Sequence, residues 1–321
     1  MEDTLRRFGE QFAWTPEVQN SEHLGTQRNF VVAGMGGSHL GADLIKSYGT
    51  VTNLIIHRDY GLPSAPDGFM QDALLILSSY SGNTEETLDA GRIAQGLGLS
   101  IAAISTGGKL LDFAREHHYP YVQIPDTGLQ PRMAIGFSMI GIARLMQNRE
   151  LEEGVYAAGK RVDGLVGREE GKRLAEIFAD KIPVFYSSEM NAPLAYIWKI
   201  KMNETGKSPA FYNVFPELCH NELTGFDVVD STRALSANIK LAFLDDFSDH
   251  PRVRVRMQVA GEIFAERGLS VEKIPLAGKS GFEKAFNAAL LADWVSMNLA
   301  KHYGVPDEAV PVVEDFKKRI S

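Results

Sequence analysis

The fold is decided by the stretch NFVVAGMGGSHLGADLIKSY, residues 29–48, which joins an apolar run, a glycine-rich turn and an amphipathic segment. The run at 29–34 predicts a buried strand, and residues 39–48 predict a helix. The stretch ALLILSSYSGNTEETLDAGRIAQG, residues 73–96, has the same order of strand, turn and helix. Apolar runs that end in glycine and alternate with helices are typical of a parallel sheet covered on both faces. The sequence therefore predicts an α/β fold.

This alternation continues along the chain. Further strands are predicted at 53–57, 100–105, 120–124, 182–186, 210–214, 239–244 and 271–275. Further helices are predicted at 132–147, 170–180, 191–204, 250–267, 281–301 and 309–320. The polar stretch from 148 to 168 fits either two helices or a linker. We expect two domains of similar plan, residues 1–150 and 151–321, each a parallel-sheet αβα sandwich, with a C-terminal helix on the second.

The composition narrows the classes of function. The chain of 321 residues has 33 Lys and Arg against 41 Asp and Glu, a formal net charge of −8. This charge opposes binding to nucleic acid or to an anionic membrane, although a local basic pocket for a small anion remains open. The single cysteine, Cys219, rules out an internal disulfide and a cysteine-pair zinc site. The amino terminus lacks an apolar signal core and no apolar run is long enough to span a membrane, so a cytoplasmic protein is expected.

The first turn, Gly34–Ser38, has the composition of an anion-binding loop. Its glycines let the backbone approach a ligand closely, and the following helix offers unpaired N–H groups. A plain tight turn is the alternative. A dinucleotide site is a weaker alternative because His39 replaces the third glycine of that fingerprint, although Asp59 lies at the expected distance.

The second turn, SSYSGNTEET, carries hydroxyl groups at the start of a helix. Ser79, Ser81 and Thr84 offer donors, and the turn contains no Lys or Arg. Such a loop suits a phosphate monoester rather than a nucleoside triphosphate with Mg²⁺. The alternative is helix capping by Asn83 with Glu86 closing a capping box, which leaves the three hydroxyls unexplained. Ligands of open parallel sheets bind at the carboxyl ends of strands, where both turns are expected.

These motifs carry a specific resemblance. GMGGS followed by SSYSGNTEET resembles the sugar isomerase (SIS) domain, a phosphosugar-binding fold. The stretches NETGK, residues 203–207, and PAFYNVFPELCHNE, residues 209–222, resemble the bifunctional phosphoglucose/phosphomannose isomerase family. The likeness extends to PRMAIGF at 131–137 and FKKRI at 316–320.

The resemblance implies a function and a set of site residues. It implies an isomerase that interconverts glucose 6-phosphate and fructose 6-phosphate through a cis-enediol, with no metal or other cofactor. The implied phosphate-binding residues, all in the first domain, are Gly36, Gly37, Ser38, Ser79, Ser81 and Thr84. The implied catalytic residues are Glu204 as base, Arg132 beside the enediolate, His220 for ring opening and Lys317 for proton transfer. The resemblance also implies a homodimer in which the partner subunit supplies the histidine to the active site.

Departures from the family pattern qualify these expectations. His39 stands where a small residue usually follows the serine, which would narrow the phosphate pocket. Thr205-Gly206 replaces a more usual pair after Asn-Glu, and Lys318 beside Lys317 leaves the register of the active lysine open. The stretch GVPDEAVPVVEDF, residues 304–316, lacks the threonine that the family links to accepting the C2 epimer. Activity on mannose 6-phosphate therefore stays open.

Two other functions share parts of this pattern. A catalytically silent phosphosugar sensor or regulator would use the same two turns, and only the catalytic residues favour the enzyme. A glucosamine-6-phosphate synthase-like isomerase domain would be joined to an amidotransferase domain with an amino-terminal cysteine, which the sequence lacks.

Overall fold

A computed structural model describes residues 1–320, which divide into two compact units. The N-terminal unit is Gly9–Arg161, and the C-terminal unit is Met1–Phe8 with the chain from Val162 onward. The strands are β1 Val18–Gln19, β2 Asn29–Ala33, β3 Leu54–His57, β4 Ala73–Ser78, β5 Ser100–Ser105, β6 Tyr121–Gln123, β7 Ile182–Ser188, β8 Phe211–Phe215, β9 Ile239–Asp245 and β10 Val271–Pro275. The α-helices are α1 Glu2–Arg6, α2 Leu40–Tyr48, α3 Glu85–Gly96, α4 Gly108–Glu116, α5 Ile135–Leu145, α6 Arg149–Gly159, α7 Arg168–Phe178, α8 Ala192–Glu204, α9 Glu222–Gly225, α10 Arg233–Ser236, α11 Pro251–Glu266, α12 Gly281–Tyr303 and α13 Pro311–Ile320.

The N-terminal unit is built on a six-stranded sheet in the order β1-β6-β5-β4-β2-β3. All neighbours are parallel except β1, which pairs antiparallel with β6. Every residue of β4 is buried, as a central strand covered on both faces requires. One face packs against α3 and α4 through residues such as Leu77, Leu88 and Leu110. On the other, Ile104 approaches α5 so closely that a Cβ on Gly141 would lie 2.2 Å from its Cδ1.

The C-terminal unit contains a four-stranded parallel sheet in the order β10-β9-β7-β8. Side chains alternate along β7 between the two faces. Tyr186 joins an aromatic cluster with Phe243 and Phe264 of β9 and α11. Phe185 faces the opposite layer and packs edge-on against Phe178 of α7. The sheet is therefore sandwiched between two helical layers, which confirms the predicted α/β sandwich.

The structure adds elements that the apolar runs did not predict. The polar stretch from 148 to 168, for which two helices or a linker were expected, contains one helix, α6, followed by turns. The helix α4 was not predicted, nor was the two-residue edge strand β1, which is too short to carry a periodic signal. The functional division predicted for residues 1–150 and 151–321 stays a prediction. No helix within residues 1–320 is long and apolar enough to cross a membrane.

A fully buried ion pair links α8 and α12. Lys201 Nζ lies 2.5 Å from Asp293 Oδ2, and neither side chain is exposed to solvent. Removing one partner leaves the other charge buried and unpaired. This lowers the free energy of unfolding far more than the same change at an exposed pair, because no water replaces the lost interaction.

We expect Asp293→Ala to lower the melting temperature of the protein. Removing one partner of a buried pair costs about 3–5 kcal/mol, and a unit of this size loses about 2–4 °C per kcal/mol, so calorimetry should show a fall of roughly 6–20 °C. The double variant Lys201→Met/Asp293→Leu removes both charges and should recover most of this loss. A single variant that melts within about 2 °C of the parent contradicts the prediction.

Candidate active site

The two predicted turns meet at one edge of the N-terminal sheet. Strands β2 and β4 are parallel neighbours, so their carboxyl ends lie side by side. The hydroxyl of Ser38 accepts a hydrogen bond from the backbone N–H of Tyr80 at 2.9 Å. The hydroxyl of Ser78 donates to the carbonyl of Ser38 at 2.7 Å. These bonds join the segments 36–38 and 79–84 into one surface, which we call the hydroxyl cradle.

The second half of the cradle is organised by its own hydroxyl groups. The hydroxyl oxygens of Ser79 and Thr84 lie 2.7 Å apart, and Ser79 Oγ also accepts from the Thr84 N–H. Capping of α3 by Asn83 is wrong: the helix begins at Glu85, its N-cap residue is Thr84, and no side chain caps it. Asn83 instead accepts from the N–H of Lys109, in the first turn of α4, at 3.3 Å. The first N–H groups of α3 therefore lack a side-chain cap, as an anion-binding helix start requires.

Two glycines are required by close backbone approach. Gly82 has φ +72°, and a Cβ there would lie 1.8 Å from the carbonyl oxygen of Gly107. A Cβ on Gly37 would lie 2.5 Å from the backbone nitrogen of Arg132. The turn before α4 is thus a third segment at this edge. Its Gly107-Gly108 pair directly after an apolar strand is the sequence signal that could have predicted it.

Arg132 lies next to the cradle. It belongs to the 3₁₀ turn Pro131–Met133, which precedes α5, and its side chain is buried, with 1% of the residue exposed. Its backbone packs directly on Gly37. The structure therefore brings together, in one unit, all six predicted phosphate-binding residues and the predicted arginine.

His39 is held by the helix that follows the cradle. Its Nδ1 lies 2.6 Å from Asp43 Oδ2, one turn further along α2, and the ring is 1% exposed. The other carboxylate oxygen of Asp43 accepts from Arg58 at 2.5 Å. The imidazole is thus part of a hydrogen-bonded cluster with the buried Asp43 and the partly exposed Arg58 behind the first turn, and the narrowing of the phosphate pocket expected of His39 stays a prediction.

The other predicted residues belong to the C-terminal unit. Glu204 is half-buried as the last residue of α8, and Lys207 donates to its carbonyl oxygen. The N–H groups of Thr205 and Gly206 both donate to the carbonyl of Lys201, so this pair ends α8 directly after Glu204.

His220 ends the 3₁₀ turn Glu217–His220 that follows β8. Its side chain is exposed and makes no hydrogen bond or ion pair within residues 1–320. Lys317 is on α13, none of whose residues is buried, and its ammonium lies 2.9 Å from Glu314. Lys318 is exposed on the same helix, so the register of the active lysine stays open.

The equivalent edge of the C-terminal sheet is occupied by charges of the chain itself. At the ends of β7 and β9, Asn191 donates to both Asp246 and Asp249, and Lys284 lies 2.5 Å from Asp246. Burial opposes ionisation of Asp246, but hydrogen bonds from Lys284 and Ser248 outweigh it and lower its pKa. Burial raises the pKa of Asp249. Two carboxylates make this edge unsuited to a phosphate group.

Comparison with known proteins agrees with this architecture. Residues 168–320 match the family described as the bacterial phospho-glucose isomerase C-terminal SIS domain. Among solved structures, a hypothetical protein from Thermus thermophilus superposes with a TM-score of 0.71 at 17% identity, covering 99% of this chain and 88% of that chain, which shows a shared fold.

Two curated relatives carry the assignment to a family. The bifunctional phosphoglucose/phosphomannose isomerase of Aquifex aeolicus is 31% identical over 98% of this chain and 96% of its own. The protein of the same name from Caldicellulosiruptor bescii is 34% identical over 91% of this chain and 89% of its own. Since this identity extends across both units, the chain belongs to the bifunctional phosphoglucose/phosphomannose isomerase family.

Proposed function

We propose that the chain is a phosphosugar isomerase that interconverts glucose 6-phosphate and fructose 6-phosphate. The observation that carries the substrate class is the hydroxyl cradle, in which two turns at one sheet edge, segments 36–38 and 79–84, offer hydroxyl and N–H groups and contain no lysine or arginine. Neutral donors at an uncapped helix start suit a phosphate monoester. Family membership supports isomerisation rather than binding alone.

The reaction assigned to Glu204 is proton transfer between C1 and C2 of the open-chain sugar. The carboxylate takes a proton from C1 of the ketose while the C2 carbonyl oxygen gains a proton, which gives the cis-enediol. Returning the proton to C2, while the C1 hydroxyl gives up its proton and becomes the aldehyde carbonyl, gives the aldose; the proton lost from O1 balances the one gained by O2, so no redox partner is consumed. A positioned carboxylate is suited to moving one proton between adjacent carbons.

The other predicted catalytic residues act on the oxygen atoms of the sugar. The fixed cation of Arg132 would stabilise negative charge on the enediolate, where a preorganised group contributes most. His220, from a second copy of the chain, would open the ring by proton transfer to the ring oxygen, a role suited to an imidazole near neutral pH. Lys317 would move a hydroxyl proton.

Loss of the base is the first test. Glu204→Gln should lower turnover of fructose 6-phosphate by about 10²-fold or more because the amide cannot accept the proton. Glucose 6-phosphate is measured by its NADP-linked dehydrogenase. Unchanged turnover contradicts the assignment of Glu204. A parent protein that binds the sugar phosphate without turnover contradicts the isomerase and indicates a sensor.

The cradle predicts a defect in binding rather than in chemistry. Thr84→Val should raise KM about tenfold or more with little change in kcat, because a hydrogen bond to a charged group is lost equally in substrate and transition state. Thr87→Val is the matched control: within residues 1–320 this hydroxyl, buried on α3, has no hydrogen-bond partner, so its removal should leave KM unchanged. Equal KM values for parent and Thr84→Val would exclude Thr84 from the phosphate site.

The assignment of His220 to the partner subunit predicts complementation. In a dimer of one Glu204→Gln chain and one His220→Ala chain, one active site holds both substitutions and the other holds neither. Mixing the two inactive variants under subunit exchange should therefore restore about one quarter of the parent activity, given random pairing in a two-fold dimer. No recovery in verified mixed dimers would place His220 in the site of its own chain.

A further inference from the structure

Glu222 lies two residues after His220 and has no part in the chemistry proposed above. It is the first residue of α9, and its side chain is half-buried. One carboxylate oxygen accepts a hydrogen bond from the hydroxyl of Tyr186, and the other accepts from the side-chain amide of Asn213. The carboxylate thus ties the segment that carries His220 to β7 and β8.

Both donors are fixed by their own surroundings. Tyr186 is fully buried, and its ring packs among the aromatic residues of the C-terminal core. Burial, together with the neighbouring carboxylate of Glu222, raises the pKa of the Tyr186 phenol, which therefore remains a donor. The amide of Asn213 cannot reverse, because its oxygen accepts from the N–H of Val214 at 2.8 Å. The two donors therefore set both the place and the direction of the carboxylate.

Among residues 1–320, Glu222 provides the polar side-chain anchor of the segment 217–225 to the rest of the unit. Within the described chain, its remaining side-chain hydrogen bond joins Asn221 to Glu217 of the same segment. Leu218 is buried in the core cluster, and Cys219 and Leu223 pack against it, but apolar packing is non-directional and does not by itself orient the His220 side chain. The His220 ring makes no hydrogen bond of its own in the described chain, so its orientation depends on the backbone that Glu222 holds.

We propose that Glu222 is a positioning residue that aims His220 for ring opening, acting through its bonds to Tyr186 and Asn213. The inference rests on the proposed function and assigns Glu222 to one step of it. If the assignment holds, loss of the carboxylate slows ring opening and leaves proton transfer on an open-chain substrate unaffected. If Glu222 had only a structural role, loss of its carboxylate would slow both ring opening and proton transfer.

The test compares a substrate that forms a ring with one that cannot. Fructose 6-phosphate closes its ring through the C5 hydroxyl. The analogue 5-deoxyfructose 6-phosphate has the same length and phosphate but lacks that hydroxyl, so it stays an open-chain ketone. For both, exchange of the C1 proton with solvent in D₂O is followed by NMR, which reports the enediol step without a coupling enzyme.

We expect Glu222→Gln to slow exchange on fructose 6-phosphate by about 10- to 100-fold, since small misplacement of a reacting group has effects of this size. Glutamine keeps the shape of the side chain but offers one acceptor oxygen where glutamate offers two. The amide of Asn213 cannot reverse to compensate. Exchange on the open-chain analogue should stay within about twofold of the parent, which also shows that the variant is folded. Glu217→Gln, an exposed carboxylate in the same segment, is the matched control and should change neither rate.

Equal slowing on both substrates, or no slowing on either, overturns the positioning role. The variant His220→Ala distinguishes this outcome from failure of the proposed function. If the proposed function holds, His220→Ala slows proton exchange on fructose 6-phosphate alone. The double variant His220→Ala/Glu222→Gln is then no slower than His220→Ala. If His220→Ala does not selectively slow exchange on fructose 6-phosphate, the role assigned to His220 is wrong and the inference fails with it. If His220→Ala slows that exchange selectively but Glu222→Gln does not, the inference alone fails.

Discussion

The parallel pairing of β2 with β4 is the constraint on which the candidate site depends. It brings the turns after these strands side by side, although the residues that meet there, Ser38 and Tyr80, are 42 positions apart in the chain. Adjacent strands lie about 4.8 Å apart, so the two turns pack without space for extra side-chain atoms. The same edge is crowded by two further segments, because a Cβ on Gly37 would meet the backbone of Arg132 and a Cβ on Gly82 would meet that of Gly107.

The two units use the same edge of a parallel sheet in different ways. In the N-terminal unit the carboxyl edge exposes neutral hydroxyl and N–H donors, which suit an external anion. In the C-terminal unit the same edge is filled by Asp246, Asp249 and Lys284, whose charges interact with each other. Of the groups to which we assign proton transfer, Glu204 is at the end of α8, His220 is in the turn that follows β8 at this edge, and Lys317 is on α13. We interpret the chain as one phosphate-binding unit and one that contributes acid–base groups.

The candidate ring-opening residue illustrates how a fold holds a side chain that has no partner of its own. An exposed imidazole that makes no hydrogen bond within residues 1–320 is free to rotate about its own bonds, and a rigid backbone fixes the point from which it extends. Tyr186 connects the aromatic core to this segment, because its ring packs in the core and its hydroxyl reaches Glu222. The interior packing of the C-terminal unit therefore bears on the segment of His220 through the Glu222 carboxylate, besides the apolar contacts of Leu218, Cys219 and Leu223.

Much of the fold was predictable because its signals are local. Long apolar runs and helical periodicity predicted the central strands and long helices to within a few residues, since burial on both faces of a sheet demands such runs. The helix α4 was missed, although its glycine pair follows a strand in the manner of the two recognised turns. The family, and with it the candidate site residues, was also accessible from short motifs, because the chemistry requires particular residue types at close spacing.

What the sequence by itself determined about this protein is therefore its α/β class, the residues of its two anion-suited turns and its family. The tertiary structure decided which groups those residues contact. Asn83 looks like a helix cap in sequence, yet its side chain bonds to the start of α4, 26 residues away. Tyr186 and Glu222 are 36 residues apart and meet because β7 and the turn after β8 lie together. Such partners depend on strand pairing across the chain, and no local pattern of residues carries that information.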